Sequence, residues 1–187
     1  MTCRSFLSAL TLLLSLSVAV VLPSVQAQTG VEQDFETKRV AGVDVAWRVV
    51  DEQLEVILEA RTTGWIAIGF DPDSRMAGAN IIIGYVDDGE LFIADDYGTA
   101  GFAHDRDTNI GGTNDIIESH GSEANGRTTL RFAIPLDSGD EKDKPLRRGG
   151  RHQVLVAHGR DGDDSFVGYH ANRDMFEIVL PSNGRVE

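Results

Sequence analysis

The sequence predicts an all-β, immunoglobulin-like sandwich of two antiparallel sheets with about ten strands. Three observations lead to this fold class. Short apolar segments are rich in β-branched and aromatic residues, turn-forming residues separate them, and none shows a long apolar period of 3.6 residues. Turn sequences such as Asp87-Asp88-Gly89 and Asn125-Gly126 lie between consecutive segments, which favours hairpin connections.

Each predicted strand is short and is bounded by Gly, Asp, Asn or Pro, which disfavour strand interiors. No internal repeat interrupts the series. In chain order the predicted strands are Val43–Val50, Leu54–Arg61, Trp65–Phe70, Asn80–Val86, Glu90–Asp95, Asp115–His120, Thr128–Ile134, Gln153–His158, Phe166–His170 and Met175–Leu180.

Side-chain alternation predicts which faces of the strands are buried. In the strand at 54–61, apolar residues at even positions alternate with charged residues at odd positions, and Ile57 is the exception. The run 81–83 is isoleucine throughout, so its strand should be central or covered on both sides. In the last strand the even positions of 176–180 are apolar, and Met175 lies on the other face.

Two segments are not predicted as strands. Tyr97–Asn114 is rich in Gly, Asp and Thr, and Asp137–Arg151 is charged and contains three glycines. Because binding residues concentrate on long loops of a rigid scaffold, these segments are expected to border a site.

The N-terminus resembles a secretory signal peptide. Arg4 is the only charge before an apolar stretch from Phe6 to Leu22, and small residues precede a cleavage position after Ala27. We therefore expect a secreted or periplasmic protein. The only cysteine, Cys3, lies in this segment, so the exported domain is expected to contain no disulfide.

These features divide the chain into four parts. Residues 1–27 are the predicted cleaved signal peptide, 28–39 an N-terminal extension, 40–180 the folded domain and 181–187 a C-terminal tail. One domain of this length is sufficient to bury a substantial core.

The charge balance restricts the partners that the protein can bind. The formal net charge is −13, which argues against nucleic acid and against anionic membrane surfaces. An acidic surface is compatible with a basic protein partner.

Met76 is the first candidate for chemistry because it lies on a polar loop between two predicted strands. A thioether there is poorly placed for core packing, but it is a ligand for haem iron or copper. Outside the predicted signal peptide the only other methionine is Met175, in a regular strand. No C-x-x-C-H sequence is present, so a haem would be bound without covalent attachment.

A histidine would be the natural second ligand, and there are five candidates. His104 lies in a long loop, His120 should face water, and His152 precedes a strand. His158 shares a face with apolar residues and His170 ends a predicted strand. Strand alternation does not decide between His158 and His170.

Two other classes of site remain open. The carboxylates of Asp71-Pro-Asp73 and Asp161-Gly-Asp163-Asp164 alternate as in some calcium loops, although neither matches an EF-hand. This pattern makes a calcium-stabilised interaction domain the weaker alternative.

Aromatic residues make a carbohydrate-binding module another alternative. No G-x-S-x-G, H-E-x-x-H or P-loop sequence occurs, so the protein is not expected to be an enzyme itself. The aromatic residues that could line a sugar site are Trp47, Trp65, Tyr85, Tyr97 and Tyr169.

Several ordered segments resemble those of DOMON domains, and together they cover roughly Val40 to Leu180. The resemblance implies a β-sandwich that binds haem or a sugar. The segments are Gly64–Phe70, Met76-Ala-Gly-Ala, Ile83–Gly89, Gly111–Asp115, Thr129–Phe132 followed by Pro135-Leu136, Val156–Gly159 and Tyr169-His170.

Among DOMON domains the chain is similar to the haem-binding type, such as the cytochrome domain of cellobiose dehydrogenase. That resemblance implies haem b held non-covalently, with Met76 of the M-x-G segment and the late His170 as axial ligands. It also implies electron transfer with a redox partner, such as a membrane b-type cytochrome or a dehydrogenase. The sequence departs from the family pattern at Asn80 and Ile134, neither of which is a ligand position.

Overall fold

The structure is a computed structural model that describes residues 34–182. The predicted signal peptide at 1–27 and residues 183–187 of the predicted tail lie outside the described residues. Eleven strands and one short 3-10 turn make up the described chain: β1 (Glu36–Val40), β2 (Val43–Val50), β3 (Gln53–Ala60), β4 (Ile66–Phe70), β5 (Asn80–Asp87), β6 (Glu90–Ala100), β7 (Ala103–Arg106), the 3-10 turn (Asp107–Asn109), β8 (Glu118–Ala124), β9 (Arg127–Pro135), β10 (Arg151–His158) and β11 (Asn172–Val179).

The strands form two antiparallel sheets, as the sequence predicts. The five-stranded sheet has the order β1-β2-β3-β9-β8, and the six-stranded sheet has the order β11-β10-β4-β5-β6-β7. Every described pairing is antiparallel. The predicted class of a two-sheet β-sandwich is therefore confirmed.

The core between the sheets follows the predicted alternation. In β3, the even positions of 54–60 are buried and the odd positions are half-buried. Phe176, Ile178 and Leu180 are buried, whereas Met175 is exposed. The largest fully buried side chains include Phe70 and Phe132.

A second apolar layer covers the outer face of the six-stranded sheet. In β5, Ile82 packs into the core between the sheets, whereas Ile81 and Ile83 belong to a separate buried cluster. The predicted central position of this strand is confirmed, since β5 pairs with β4 on one side and with β6 on the other. An apolar outer face is where a sandwich can accept a further apolar layer.

Two segments outside the predicted strands form strands. Residues 36–39, placed in the extension, form edge strand β1 together with Val40 and pair with β2. The predicted loop at Tyr97–Asn114 contains the end of β6 and all of β7, joined across an irregular register. The segment is predicted as a loop because it is rich in glycine. In the structure these glycines lie in or beside a hairpin with an irregular register, where small residues are common.

The prediction of a strand at Phe166–His170 is wrong. Residues 159–171 connect β10 to β11 without a strand, and the Ala171 N–H donates to the His158 carbonyl at 2.8 Å to close the loop. Because β4 and β11 already flank β10, this segment cannot pair with the strand that precedes it.

Among residues 34–182, no helix combines the length and apolar character needed to cross a membrane.

Candidate functional site

The outer face of the six-stranded sheet carries an apolar surface that we call the outer-face cluster. Three of its buried members are alanines, whose short side chains project less far from the sheet than the larger side chains beside them. Its buried residues are Trp65, Ala67, Ala79, Ile81, Ile83 and Ala94, and Met76, Tyr85, Leu155, Ala157 and Phe166 pack against them half-buried.

Met76 reaches this cluster from the loop between β4 and β5. The loop is held by backbone hydrogen bonds: the N–H groups of Asp73 and Ser74 donate to the Ala77 carbonyl at 2.8 and 3.4 Å, and Ala79 N–H donates to the Met76 carbonyl at 3.1 Å. Gly78 adopts a φ of +77°, which a glycine adopts without strain. The thioether is therefore presented by a short ordered turn.

Strand β6 anchors the same turn through Gly98. Gly78 N–H donates to the Gly98 carbonyl at 2.8 Å, and Gly98 N–H donates to the Ala79 carbonyl at 2.9 Å. A Cβ on Gly98 would lie 1.6 Å from the Met76 carbonyl oxygen. This close approach requires glycine, because the atom that a Cβ would meet is a backbone oxygen and cannot move aside as a side chain can.

His170 lies in the loop at 159–171, which folds back on the start of β4. Trp65 N–H donates to the Asp163 carbonyl at 3.1 Å, and its indole N–H donates to an Asp163 carboxylate oxygen at 3.3 Å. Gly159 N–H donates to the Trp65 carbonyl at 2.8 Å. These bonds fix the loop to the strand that supplies the buried indole.

The imidazole of His170 meets the outer-face cluster at Trp65. The two ring centroids are 6.2 Å apart in an edge-on arrangement at 65°. Arg173 donates a hydrogen bond to Nδ1 of His170 at 3.0 Å. Burial, followed by the positive charge of Arg173, lowers the pKa of His170 from its ordinary value of 6.5. The neutral ring that results is the form that can coordinate a metal.

Met76 packs against the outer-face cluster and the His170 ring contacts Trp65 of that cluster, whereas His158 lies on the other side of the sheet. His158 continues the side of β10 on which Val154 and Val156 pack into the core between the sheets, and its Nδ1 lies 2.8 Å from the Gly159 carbonyl oxygen. Leu155 and Ala157, at the alternate positions, belong to the outer-face cluster.

The other three histidines lie in different surroundings. Buried His152 is hydrogen-bonded to Asp71 at 2.6 Å, and His104 is hydrogen-bonded to Asp96 at 2.6 Å. His120 is exposed, as predicted.

The donor set fits a haem iron. A thioether and an imidazole are the axial ligands of one class of b-type and c-type centres, and both side chains contact the same apolar surface. Sequence reasoning missed Trp65 as the residue linking the His170 loop to this surface. Its position directly before the buried run of β4 was the available signal.

The acidic segments predicted to bind calcium do not form a shared site. Asp71 bonds to His152 and to the Gln153 N–H, and Asp73 pairs with Lys144 at 2.7 Å. Asp163 is engaged with Trp65. Within the described residues, the one group of three acidic or imidazole side chains close enough to share an ion contains none of these carboxylates.

The aromatic residues predicted to line a sugar site do not all lie together: Trp65 and Tyr85 belong to the outer-face cluster, and the other three are not among its members. Trp47 is buried in the core against Phe176, and Tyr85 stacks on Phe92 with centroids 5.1 Å apart. Tyr169 is 89% exposed. A groove of about 380 Å³ on the other sheet is lined largely by polar and charged residues such as Lys38 and Glu59, and by no aromatic side chain.

The fold is shared with two solved cytochrome domains. The cytochrome b domain of pyranose dehydrogenase from Coprinopsis cinerea superposes with a TM-score of 0.59 at 12% identity, over 81% of this chain and 84% of that chain. The cytochrome domain of Myriococcum thermophilum cellobiose dehydrogenase gives a TM-score of 0.53 at 12% identity, over 75% and 76% of the two chains.

Curated relatives by sequence are much longer proteins. "MOXD1 homolog 2" of Drosophila melanogaster is 31% identical over 51% of this chain, and "DBH-like monooxygenase protein 1" of Mus musculus is 29% identical over 66%. The human protein of the latter name is 25% identical over 73% of this chain. The chain spans only 12% to 22% of the length of these relatives.

The family model described as the DOMON domain matches residues 41–159. These residues run from the turn before β2 to the end of β10 and include nine of the eleven strands and the Met76 loop, but not β1, β11 or His170. The chain therefore belongs to the DOMON domain family.

Proposed function

We propose that this protein is an exported haem b-binding DOMON domain that transfers electrons, with Met76 and His170 as the axial ligands. One observation carries the proposal: two loops far apart in sequence bring a thioether and a neutral imidazole to the same apolar face of one sheet. The names of the two structural neighbours, both cytochrome domains, agree with it.

Bound haem b would supply a one-electron iron couple. The protein side chains would hold and shield it. Met76 would contribute its sulfur, His170 an imidazole nitrogen, and the outer-face cluster would exclude water from one side. Arg173 would have to release the His170 ring nitrogen for that atom to coordinate, which its exposed position allows. Thioether ligation together with an apolar surround raises a reduction potential.

The proposed activity is outer-sphere electron transfer. Two axial side chains leave no coordination position for dioxygen or for a substrate. Catalysis would then belong to a partner, and the domain itself would not be an enzyme.

The proposed partner is a dehydrogenase or a membrane b-type cytochrome. Both structural neighbours are, by their names, domains of sugar-oxidising dehydrogenases. The apolar segment from Phe6 to Leu22 supports secretion or a periplasmic location.

The absorption spectrum of the purified protein tests the ligands. We expect a red protein whose oxidised and dithionite-reduced spectra are those of low-spin, six-coordinate haem. Met76→Ala and His170→Ala should each convert this to a high-spin or haem-free spectrum, because each removes one axial ligand.

His120→Ala is the matched control, since His120 is exposed and lies in β8 of the other sheet. It should keep the low-spin spectrum, and so should His158→Gln. Unchanged spectra in both Met76→Ala and His170→Ala would rule out the assignment.

A further inference from the structure

Three buried carboxyl groups converge at a second place in the domain. Asp95 lies in β6, Asp107 begins the 3-10 turn after β7, and Asp143 lies in the segment between β9 and β10. Their exposed fractions are 4%, 0% and 7%. One oxygen from each lies within 4.8 Å of the others.

This carboxylate cluster is separate from the outer-face cluster. Asp95 continues the side of β6 on which Leu91 and Ile93 pack against the core between the sheets. Ala94, next to it, belongs to the outer-face cluster. A ligand of the three carboxylates would therefore lie on the side of β6 opposite Met76.

The carboxylates have fewer partners than buried charges require. Both oxygens of Asp107 and one oxygen each of Asp95 and Asp143 have no hydrogen bond. The other Asp95 oxygen accepts a bond from the Asp115 N–H at 2.7 Å. Within residues 34–182, no Lys, Arg or His forms an ion pair with any of the three.

Their electrostatic setting is unfavourable for three bare negative charges. Burial is the largest cause that raises the pKa of Asp95 and of Asp107 to about 7, and neighbouring carboxylates add to it. Burial and the charge of Asp95 likewise raise the pKa of Asp143. Asp115 and Asp140 add further negative charge nearby. Such a group is stable at neutral pH when protons or a cation neutralise it.

We propose that Asp95, Asp107 and Asp143 bind a calcium ion. The donors are all carboxylate oxygens, which suit hard cations and not copper or zinc. Mg²⁺ is usually held by one or two carboxylates and keeps several waters, whereas Ca²⁺ takes most of its oxygens from the protein. Three carboxylates whose oxygens lie within 4.8 Å of one another therefore favour Ca²⁺.

A bound cation would join three segments that are distant in sequence. It would tie β6 to the 3-10 turn and to the long connection before β10. Because the unfolded chain does not hold these carboxylates together, binding would stabilise the native state. This role does not depend on haem.

Thermal unfolding of the EDTA-treated protein provides the test. Addition of millimolar CaCl2 should raise Tm by about 5 °C or more, the shift expected when the concentration is roughly a hundred times Kd for a domain of this size. Calorimetric titration with CaCl2 should give about one ion per chain.

Asp107→Asn should remove the response to CaCl2 and should raise Tm in EDTA, because a neutral amide replaces a buried charge. If Asp107 only stabilised the fold, Asp107→Asn would instead lower Tm in EDTA. Asp143→Asn repeats the test if the first variant fails to fold, and exposed Asp164→Asn, in a segment predicted to bind calcium, should respond like the unsubstituted protein.

Three results would overturn the proposal. These are an unchanged Tm of the unsubstituted protein on adding CaCl2, a full response in both Asp107→Asn and Asp143→Asn, and an equal response to MgCl2 at the same concentration, which would exclude calcium as the preferred ion.

Discussion

Gly98 controls the position of Met76 without contributing a side chain. Its Cβ, if present, would overlap the Met76 carbonyl and approach Ala77 Cα at 3.3 Å. Gly98→Ala should therefore push the loop away from the sheet, lower the free energy of unfolding by about 1–3 kcal/mol and weaken haem binding. Chemical denaturation and haem titration measure the two effects.

Gly101→Ala is the matched control three residues away. A Cβ there meets only the flexible side chain of Arg75, at 3.3 Å, so the cost should stay within about 0.5 kcal/mol. If Gly98→Ala were as stable as the unsubstituted protein, the Met76 loop would move aside without lowering the free energy of unfolding.

At the residue scale, sequence reasoning found Met76 more readily than its partner. A methionine on a polar loop has few structural explanations, so its position alone drew attention. His158 and His170 could not be separated by strand alternation, because His170 is not in a strand at all. Only the resemblance to DOMON domains favoured His170. The packing of one side of β10 into the core and of the other side into the outer-face cluster is a tertiary feature, and no local sequence pattern encodes it.

The buried acids were missed for a related reason. Asp95 and Asp96 follow an apolar run in β6, and a charged pair inside a buried strand was the available signal. Asp107 and Asp143 lie in segments whose composition is typical of solvated loops. Their burial results from tertiary packing, which overrides composition.

At the element scale, Asp71 joins the end of β4 to the start of β10. Its carboxylate accepts a hydrogen bond from Gln153 N–H at 2.9 Å and is bonded to Nδ1 of buried His152 at 2.6 Å. Asp71→Asn removes the charge and keeps the size. We expect it to lower the free energy of unfolding by about 1–3 kcal/mol, seen as a fall of several degrees in Tm.

Asp73→Asn, two residues away, should be nearly silent. Its carboxylate pairs with Lys144 near the surface and is itself exposed, and exposed ion pairs contribute about 0–1 kcal/mol. If Asp73→Asn cost as much as Asp71→Asn, the link between β4 and β10 would not be the source of the effect.

The elements that sequence reasoning placed correctly are those with a buried face. Strands β2, β3, β5 and β9 alternate or are apolar throughout, because each lies inside a sheet and packs against the core. The elements it missed, β1 and β7, lie at sheet edges and are largely exposed. An exposed edge strand is specified by its neighbour and not by its own hydrophobic pattern.

The predicted strand at Phe166–His170 failed for the opposite reason. Its residues have high strand propensity, but the Val167 N–H donates to the Ser165 hydroxyl at 3.2 Å, a local bond that competes with strand pairing. A Cβ on Gly168 would lie 2.1 Å from an Asp163 carboxylate oxygen, so a tight internal contact holds the loop. This loop carries His170, and local patterns are least informative at such sites.

At the scale of the whole molecule, the formal net charge of −13 contrasts with two arginines beside the proposed haem site. Arg173 contacts His170, and Arg106 lies 4.3 Å from the ring of Phe166 in the outer-face cluster. Salt screens the interaction between distant charges more strongly than that between near ones. The electrostatic field that acts on a redox partner therefore depends on ionic strength.

This contrast predicts how electron transfer depends on salt, on the premise that haem is bound as proposed. At about 10 mM ionic strength the screening length is about 30 Å, so the whole negative charge acts on an approaching acceptor. The reduced protein should then react faster with cationic tris(phenanthroline)cobalt(III) and slower with anionic ferricyanide than either does at high salt.

Stopped-flow oxidation of the dithionite-reduced protein measures both rate constants. At about 150 mM the screening length falls to about 8 Å, so only local charges such as Arg173 remain effective and the advantage of the cation should shrink or reverse. Arg173→Gln should leave the low-salt rates nearly unchanged and slow only the reaction with ferricyanide at high salt. A preference for ferricyanide that is already present at low salt would show that the local arginines, and not the overall acidity, select the partner's charge.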